Sequence, residues 1–202
     1  GGRRVSTTGI VTPGKPPKPP VPAAGGEDEP EGWSGHTKGY VHPHRASIWA
    51  ESERVRRQEA LGIVPPGEQL HQHEIETVER MQSLGHQLRW NRRAAHATND
   101  AVWIDMGGIE IEIKATKAKR STIVDRIVEC FRNAERAADR GDRADSKKNF
   151  IIDIGQSALS PLLAKQLSAF NASRSGQSPA RRINRLWVMT RGQLVELPQV
   201  NE

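Results

Sequence analysis

The sequence has a single cysteine, Cys130, among its 202 residues. One cysteine excludes an internal disulfide and leaves no thiolate cluster for a structural metal. No apolar run is long enough to cross a membrane, and the first residues do not have the pattern of a signal peptide. Hydrophobic residues make up only 35% of the chain. We therefore expect part of it to lie outside a packed core.

Charge and proline are plentiful, and they divide the chain into three parts. The formal net charge of +6 suits a polyanionic partner. Residues 1–33 are rich in Pro, Gly and charge, which predicts a disordered linker. Residues 34–68 are predicted to be a transitional, partly helical segment, and residues 69–202 the functional domain. Because the chain begins with Gly1 rather than Met, we expect it to be a fragment of a longer protein.

Hydrophobic periodicity predicts the order of elements after residue 69. The predicted order is helix, strands with a hairpin, helix, strand, helix, strand, strand. The corresponding segments are HQHEIETVERMQSLG, HQLRWN, the hairpin within NDAVWIDMGGIEIEIK, STIVDRIVECFRNAERAAD, NFIIDIG, SPLLAKQLSAF, RLWVMT and QLVEL. This order indicates an α/β fold with a central mixed sheet flanked by helices.

The hairpin carries the strongest chemical signal in the sequence. In its second strand isoleucine alternates with charged residues. The isoleucines are Ile109, Ile111 and Ile113, and the charged residues are Glu110, Glu112 and Lys114. Alternate side chains of a strand point to opposite faces, so we expect the isoleucines in the core and the charges together on the other face. With Asp100 on the preceding strand, this predicts a charged cluster at a sheet edge.

The spacing of these charges fits the PD-(D/E)xK pattern of restriction-endonuclease-like nucleases. Asp100 is followed after eleven residues by Glu112-Ile113-Lys114, and Asn99 stands where the pattern has proline. A solvated edge strand with salt-bridged charges would explain the same residues. The predicted order of elements favours the nuclease, because the restriction-endonuclease-like core also has its acids on hairpin strands after the first helix.

One acid of the first predicted helix falls on its apolar face. Glu74 shares that face with Val78 and Met81, whereas Glu76 lies elsewhere. A carboxylate on a buried face needs a partner, which a metal ion or a lysine would supply. Glu74 is therefore the predicted fourth residue of the cluster.

From about residue 70 to 198 the chain resembles the C-terminal nuclease domain of bacterial polymorphic toxins. It is most similar to the CdiA-type toxins of contact-dependent growth inhibition. The segments that carry the resemblance are HEIETVERMQSLGH, NDAVWI with its following glycine, and NFIIDIG with RLWVMTRGQLVEL. The resemblance implies an endonuclease that is carried on a secreted or particle-borne protein, with tRNA as the expected substrate and DNA as the alternative. It further implies action in the cytoplasm of a target cell and a cognate immunity protein.

The mechanism implied by the resemblance is metal-assisted hydrolysis of a phosphodiester bond. Asp100 and Glu112, supported by Glu74 or Glu110, would bind Mg²⁺ or Mn²⁺, with Zn²⁺ as an alternative. Lys114 would orient or deprotonate the attacking water and offset developing negative charge. These assignments make Asp100, Glu112, Lys114 and Glu74 the expected catalytic residues, and Asp100, Glu112 and Glu110 the expected metal ligands.

Five basic residues close to the motif are the expected contacts to the phosphate backbone. They are Arg92, Arg93, Lys117, Lys119 and Arg120. Two alternatives stay open at this point. One is a DNase of the same PD-(D/E)xK type, in a toxin or a phage-associated protein. The other is a catalytically inactive module that binds nucleic acid within a larger assembly.

Overall fold

A computed structural model describes residues 48–94 and 98–200. These residues form four α-helices and six strands. The helices are α1 (Glu51–Leu61), α2 (Gln72–Ser83), α3 (Arg120–Asp139) and α4 (Pro161–Ser168), and the strands are β1 (Leu88–Trp90), β2 (Ala101–Trp103), β3 (Ile109–Ala115), β4 (Asn149–Asp153), β5 (Arg185–Thr190) and β6 (Gln193–Glu196). The predicted order of elements is confirmed. The predicted linker, residues 1–33, lies outside the described residues.

The strands form one mixed sheet in the order β1-β2-β3-β4-β5-β6. The pairs β1–β2, β2–β3 and β5–β6 are antiparallel, whereas β3–β4 and β4–β5 are parallel. Each parallel pair is joined by a helical crossover, α3 and then α4. The prediction of an α/β fold with a mixed sheet flanked by helices is therefore confirmed. The expectation that the charged strand lies at the edge is wrong, because β4 pairs with β3 on its far side.

Each face of the sheet has its own apolar core. On one face, Phe150 and Ile152 of β4 belong to a cluster with residues of α3 and α4. On the other face, Ile151 joins a cluster with residues of α1, α2 and β3. Because β4 is covered on both faces and has no solvent side, its three central residues, Phe150, Ile151 and Ile152, are all apolar.

Helix α2 is attached to the sheet by a polar contact as well as by its apolar face. Asp153, at the end of β4, is buried, and its Oδ2 accepts a hydrogen bond of 2.6 Å from Thr77 Oγ1. Arg80 forms an ion pair with the same oxygen. Gly155 N donates to the other carboxylate oxygen at 2.8 Å. These bonds satisfy a buried carboxylate and fix where α2 lies along the sheet.

Helix α1 packs against α2 rather than standing apart. Gln58 donates to Glu68 O and accepts from Leu70 N, both at 2.8 Å, and Leu61 is part of the core under α2. The described part of the predicted transitional segment, residues 48–68, is thus joined to the elements that follow it. Among the described helices, none combines the length and apolarity needed to span a bilayer.

Candidate active site

The hairpin of β2 and β3 brings two carboxylates together. Ala101 pairs with Ile111 in the antiparallel register, so Asp100 stands opposite Glu112 one step further on. Opposed residues of antiparallel strands have their side chains on the same face. Asp100 is also fixed by a hydrogen bond of 2.8 Å that its Oδ2 accepts from Ile113 N. Gly107 and Gly108 form the turn with φ of 83° and 74°, a conformation that favours glycine.

Glu112 is the centre of the cluster and is 4% exposed. Its Oε1 accepts a hydrogen bond of 2.5 Å from Lys147 Nζ. Its Oε2 lies 3.9 Å from Lys114 Nζ and 3.9 Å from Cys130 Sγ of α3. The carboxylate is therefore flanked by two ammonium groups, one on each oxygen, and is covered by α3.

Lys147 was not among the predicted site residues. It lies in the loop before β4, is buried, and donates to Thr98 O at 2.6 Å as well as to Glu112. In the same pair of segments, Asn99 Nδ2 donates to Ser146 O at 3.2 Å. No spacing rule could have found this lysine, since a basic residue in a polar loop is typical of a solvated surface.

Glu74 belongs to the first turn of α2, where it has a structural role in addition to any chemical one. Its Oε1 accepts a hydrogen bond of 2.8 Å from His71 N, and the His71 side chain accepts from the backbone of Glu74 in return. This reciprocal arrangement is a capping box that begins the helix. Glu74 is buried and close enough to Asp100 and Lys114 for their charges to shift its pKa. Glu76 instead accepts from Gln72 Nε2 at 3.1 Å.

Burial and mutual repulsion raise the pKa of both buried glutamates. Burial raises the pKa of Glu112 to about 7, and the charge of Asp100 adds to the rise, whereas Lys114 and Lys147 oppose it. Burial likewise raises the pKa of Glu74 to about 8, again with a contribution from Asp100. Both carboxyls therefore hold protons more tightly than they would in water, chiefly because they are buried.

The pKa of the Lys114 ammonium is raised by its surroundings, first by the Cys130 sulfur and then by the carboxylates Glu112, Asp100 and Glu74. Burial raises the pKa of the Cys130 thiol to about 12. Because that thiol is neutral near pH 7, the carboxylates are what hold Lys114 protonated there. Lys114 can thus donate hydrogen bonds to water or phosphate, but it is a poor base while all three acids are ionised.

An open cleft of about 310 Å³ leads to this cluster. Its walls come from the loop between β1 and β2, from β3, from α3 and from the loop before β4. The lining residues are Trp90, Asn91, Arg93, Ala94, Thr98, Asn99, Asp100, Glu112, Lys114, Cys130, Asn133 and Lys147. Three of the four predicted catalytic residues, Asp100, Glu112 and Lys114, therefore line one cleft.

Glu74 and most of the other predicted site residues lie outside this lining. Glu110 is exposed, and its Oε2 accepts a hydrogen bond of 2.7 Å from Asn91 Nδ2. Of the five basic residues predicted to contact phosphate, Arg93 lines the cleft. Arg92 is exposed and donates to Pro66 O at 3.0 Å. The other three follow the end of β3 and reach the start of α3: they are Lys117, Lys119 and Arg120.

The donor set of the cleft fits Mg²⁺ or Mn²⁺ better than Zn²⁺. Asp100 and Glu112 offer hard carboxylate oxygens, and Mg²⁺ is commonly held by one or two carboxylates together with waters and substrate phosphates. Within residues 48–94 and 98–200, no group of three or more His, Cys, Asp or Glu side chains is placed to hold a metal ion. The two carboxylates would therefore hold Mg²⁺ only together with oxygens of water and of a substrate phosphate.

No protein-family model, curated protein or solved structure matches the chain. The functional assignment therefore depends on the residues of the cleft and on the fold that holds them. The cleft offers two carboxylates, two ammonium groups and an arginine at its mouth. Such a set can bind a cation, a phosphate group or both.

Proposed function

We propose that residues 69–202 form a metal-dependent endonuclease domain with a restriction-endonuclease-like core and a PD-(D/E)xK site. The observation that carries the proposal is the position of Asp100, Glu112 and Lys114 in one cleft. The architecture supports the proposal in two ways. The acids stand on the hairpin that follows helix α2, and the second strand of that hairpin, β3, pairs in parallel with β4. A solvated edge strand would leave Glu112 exposed, whereas it is 4% exposed.

Asp100 and Glu112 would hold the cation, and the Glu74 carboxyl, which is near enough to Asp100 to feel its charge, would ionise when the cation binds. A bound Mg²⁺ would polarise the phosphoryl group and lower the pKa of a water molecule. Lys114 has the exposure for direct contact with substrate, since its side chain is 35% exposed. Its ammonium would orient that water and stabilise the negative charge that develops on the phosphate oxygens. Arg93 would bind a neighbouring phosphate at the mouth of the cleft.

We propose tRNA as the substrate, because the resemblance to CdiA-type toxins implies it, with DNA as the alternative. The same resemblance implies a longer delivery protein, action in the target-cell cytoplasm and a cognate immunity protein. The formal charge of +6 favours an acidic immunity protein, whose association rate would then fall with salt. Expression of the wild-type chain alone in a bacterial cytoplasm should therefore arrest growth, and harmless expression would contradict the toxin assignment.

The central experiment incubates the full chain with total RNA and with plasmid DNA, in Mg²⁺ or in EDTA. We expect cleavage of one substrate in Mg²⁺ and none in EDTA. The Lys114→Ala variant should be inactive, whereas Lys165→Ala, at an exposed position of α4, should retain full activity. Preferential loss of RNA or of plasmid distinguishes the two substrate classes. Binding of nucleic acid without cleavage in any metal would instead identify an inactive binding module.

A further inference from the structure

Lys147 is a buried cation whose role the proposed chemistry does not yet include. Its side chain is 5% exposed, yet it carries an ammonium group. Such a group is costly to bury unless fixed partners compensate it. Lys147 has two such partners, Glu112 Oε1 at 2.5 Å and Thr98 O at 2.6 Å. It is therefore held in one place by β3 of the acidic hairpin and by the segment that leads into the hairpin.

The two lysines around Glu112 are not equivalent. Lys114 Nζ is 3.9 Å from Oε2 on a side chain that is 35% exposed, so it can move toward a ligand in the cleft. Lys147 is enclosed and makes the shorter contact, on the other oxygen. The first has the position of a group that meets substrate. The second has the position of a permanent counter-ion.

We propose that Lys147 is a positioning residue that neutralises Glu112 before any cation arrives and then competes with the cation for that carboxylate. The inference depends on the proposed function, which supplies the divalent cation. A metal ion would approach a carboxylate oxygen to about 2.0–2.1 Å, the space beside Oε1 that the Lys147 ammonium now takes. Even a cation bound through Oε2 and Asp100 would stay within a few ångströms of the ammonium, and like charges repel strongly in a buried site.

The same contacts explain why the acids stay in place without a cation. Thr98 and Asn99 directly precede Asp100, and both are bonded to the loop that carries Lys147, through Thr98 O and through Asn99 Nδ2 to Ser146 O. The loop before β4 thus holds Asp100 through its neighbours and Glu112 through its ammonium. Preorganisation of the two ligands is gained at the expense of cation affinity.

The test measures Mn²⁺ binding by titration calorimetry on the full chain, without nucleic acid. The variants are Lys147→Met, which keeps volume and removes charge, and Lys148→Met as the matched control. Lys148 is the adjacent lysine, but it donates to Pro179 O and Arg182 O at 3.3 Å, away from the acids. We expect Lys147→Met to bind Mn²⁺ at least about ten-fold more tightly than wild type. Its melting temperature should be lower in EDTA and recover in saturating Mn²⁺, and the control should match wild type in both.

Equal or weaker Mn²⁺ binding by folded Lys147→Met, with binding by wild type intact, would overturn this inference and leave the proposed function standing. Absence of Mn²⁺ binding in every form would overturn the cation chemistry itself, and the inference with it. If Lys147→Met does not fold, ¹⁵N-lysine spectra of wild type decide, with Lys147 assigned from Lys147→Arg. A Lys147 ammonium signal that shifts when Mg²⁺ is added supports competition, and one that does not change contradicts it.

Discussion

The two faces of β3 are both buried, but they are buried by opposite means. Ile111 and Ile113 are 0% and 1% exposed and lie against the apolar residues of α2. Glu112, between them in sequence, is 4% exposed on the other face, where it meets ammonium groups and a thiol. Each buried isoleucine stabilises the fold by about 1.5–3 kcal/mol. A buried ion pair gives no such surplus.

The comparison shows that alternate residues of one strand can have different roles, because one face stabilises the fold and the other holds a charged cluster. The α2 face would be as stable in a protein of any function. The α3 face is arranged at some cost to stability, since the raised pKa of Glu112 means that its ionised form is disfavoured. Shifted pKa values of this kind cluster at functional sites.

The largest effect should come from removing Asp100, a proposed metal ligand on the face of β3 that carries Glu112, which is the charged face. Asp100→Asn should reduce the cleavage rate on the order of 10³-fold, because a neutral amide is a poor ligand for a hard cation. The rate is measured at saturating Mg²⁺, together with Mn²⁺ affinity by calorimetry. Asp125→Asn, at an exposed position of α3, is the control. Full activity in both Asp100→Asn and Lys114→Ala would refute the nuclease proposal and leave only the fold.

Substitutions on the opposite face of β3, which carries the isoleucines, should instead change the free energy of unfolding. Ile113→Ala should lower the free energy of unfolding by about 2–5 kcal/mol, since it opens a cavity under α2. The double variant Glu112→Met with Lys147→Met removes both members of the buried ion pair and should be as stable as wild type or more so, though inactive. Urea denaturation measures both. A double variant that loses as much stability as Ile113→Ala would show that the charged face also stabilises the fold.

The pH dependence of the free energy of unfolding should show the raised pKa values of Glu112 and Glu74 in the wild-type protein. The pKa values of Glu112 and Glu74 rise on folding from 4.5 to about 7 and about 8. Folded protein thus binds more protons than unfolded protein between those values, so the stability contributed by the two protonated groups is complete below pH 4.5 and is lost as pH rises toward 8. In EDTA the free energy of unfolding should fall by several kcal/mol from pH 5 to pH 8.

Mg²⁺ should oppose that loss, because a cation favours the ionised carboxylates. The urea titrations are repeated at both pH values with Mg²⁺ and with the variant Glu112→Gln, which should show a shallower decline. Stability that rises between pH 5 and pH 8 in EDTA would mean that the two carboxyls are compensated in the folded protein and that the cleft does not need a cation.

The smallest effect should distinguish Glu74 from Glu76, both of α2. Glu74→Gln should slow cleavage about ten-fold, because it removes a carboxyl near Asp100 that a bound cation would ionise, while glutamine still completes the capping box. Glu76→Gln should leave cleavage unchanged, since Glu76 is bonded within the helix to Gln72. Helicity from circular dichroism should be equal in both. Slower cleavage in Glu76→Gln alone would show that the wrong carboxylate was assigned to the site.

Much of this arrangement could be predicted because it is local. Period-two alternation gave the two faces of β3, and the continuous apolar run of β4 gave a strand covered on both sides. The neighbour of β3 could not be predicted, since the pattern of a strand does not say which strand pairs with it. That is why the charges were expected at a sheet edge and are instead in the middle of the sheet.

Lys147 shows the other limit of sequence reasoning. It lies in a polar loop well after Lys114, and its burial depends on how the crossover through α3 returns to the sheet. The packing of α1 on α2 could not be predicted either, because the sequence of a helix that is charged on most sides does not indicate which element it packs against. Glu74 was placed on a buried face by its spacing, but its capping role depends on His71, an uncommon residue for that position.

The bond from Lys147 to Glu112 also has a consequence for the order in which the molecule assembles. Asp100 is bonded to Ile113 across 13 positions, a short loop that closes early, whereas Lys147 reaches Glu112 across 35 positions. The acids of the hairpin can therefore meet before α3 and β4 are in place, and for that interval they repel without a counter-ion. A refolding chain therefore regains its complete charge set only when β4 docks beside β3, so the cleft is completed after the hairpin that carries its acids.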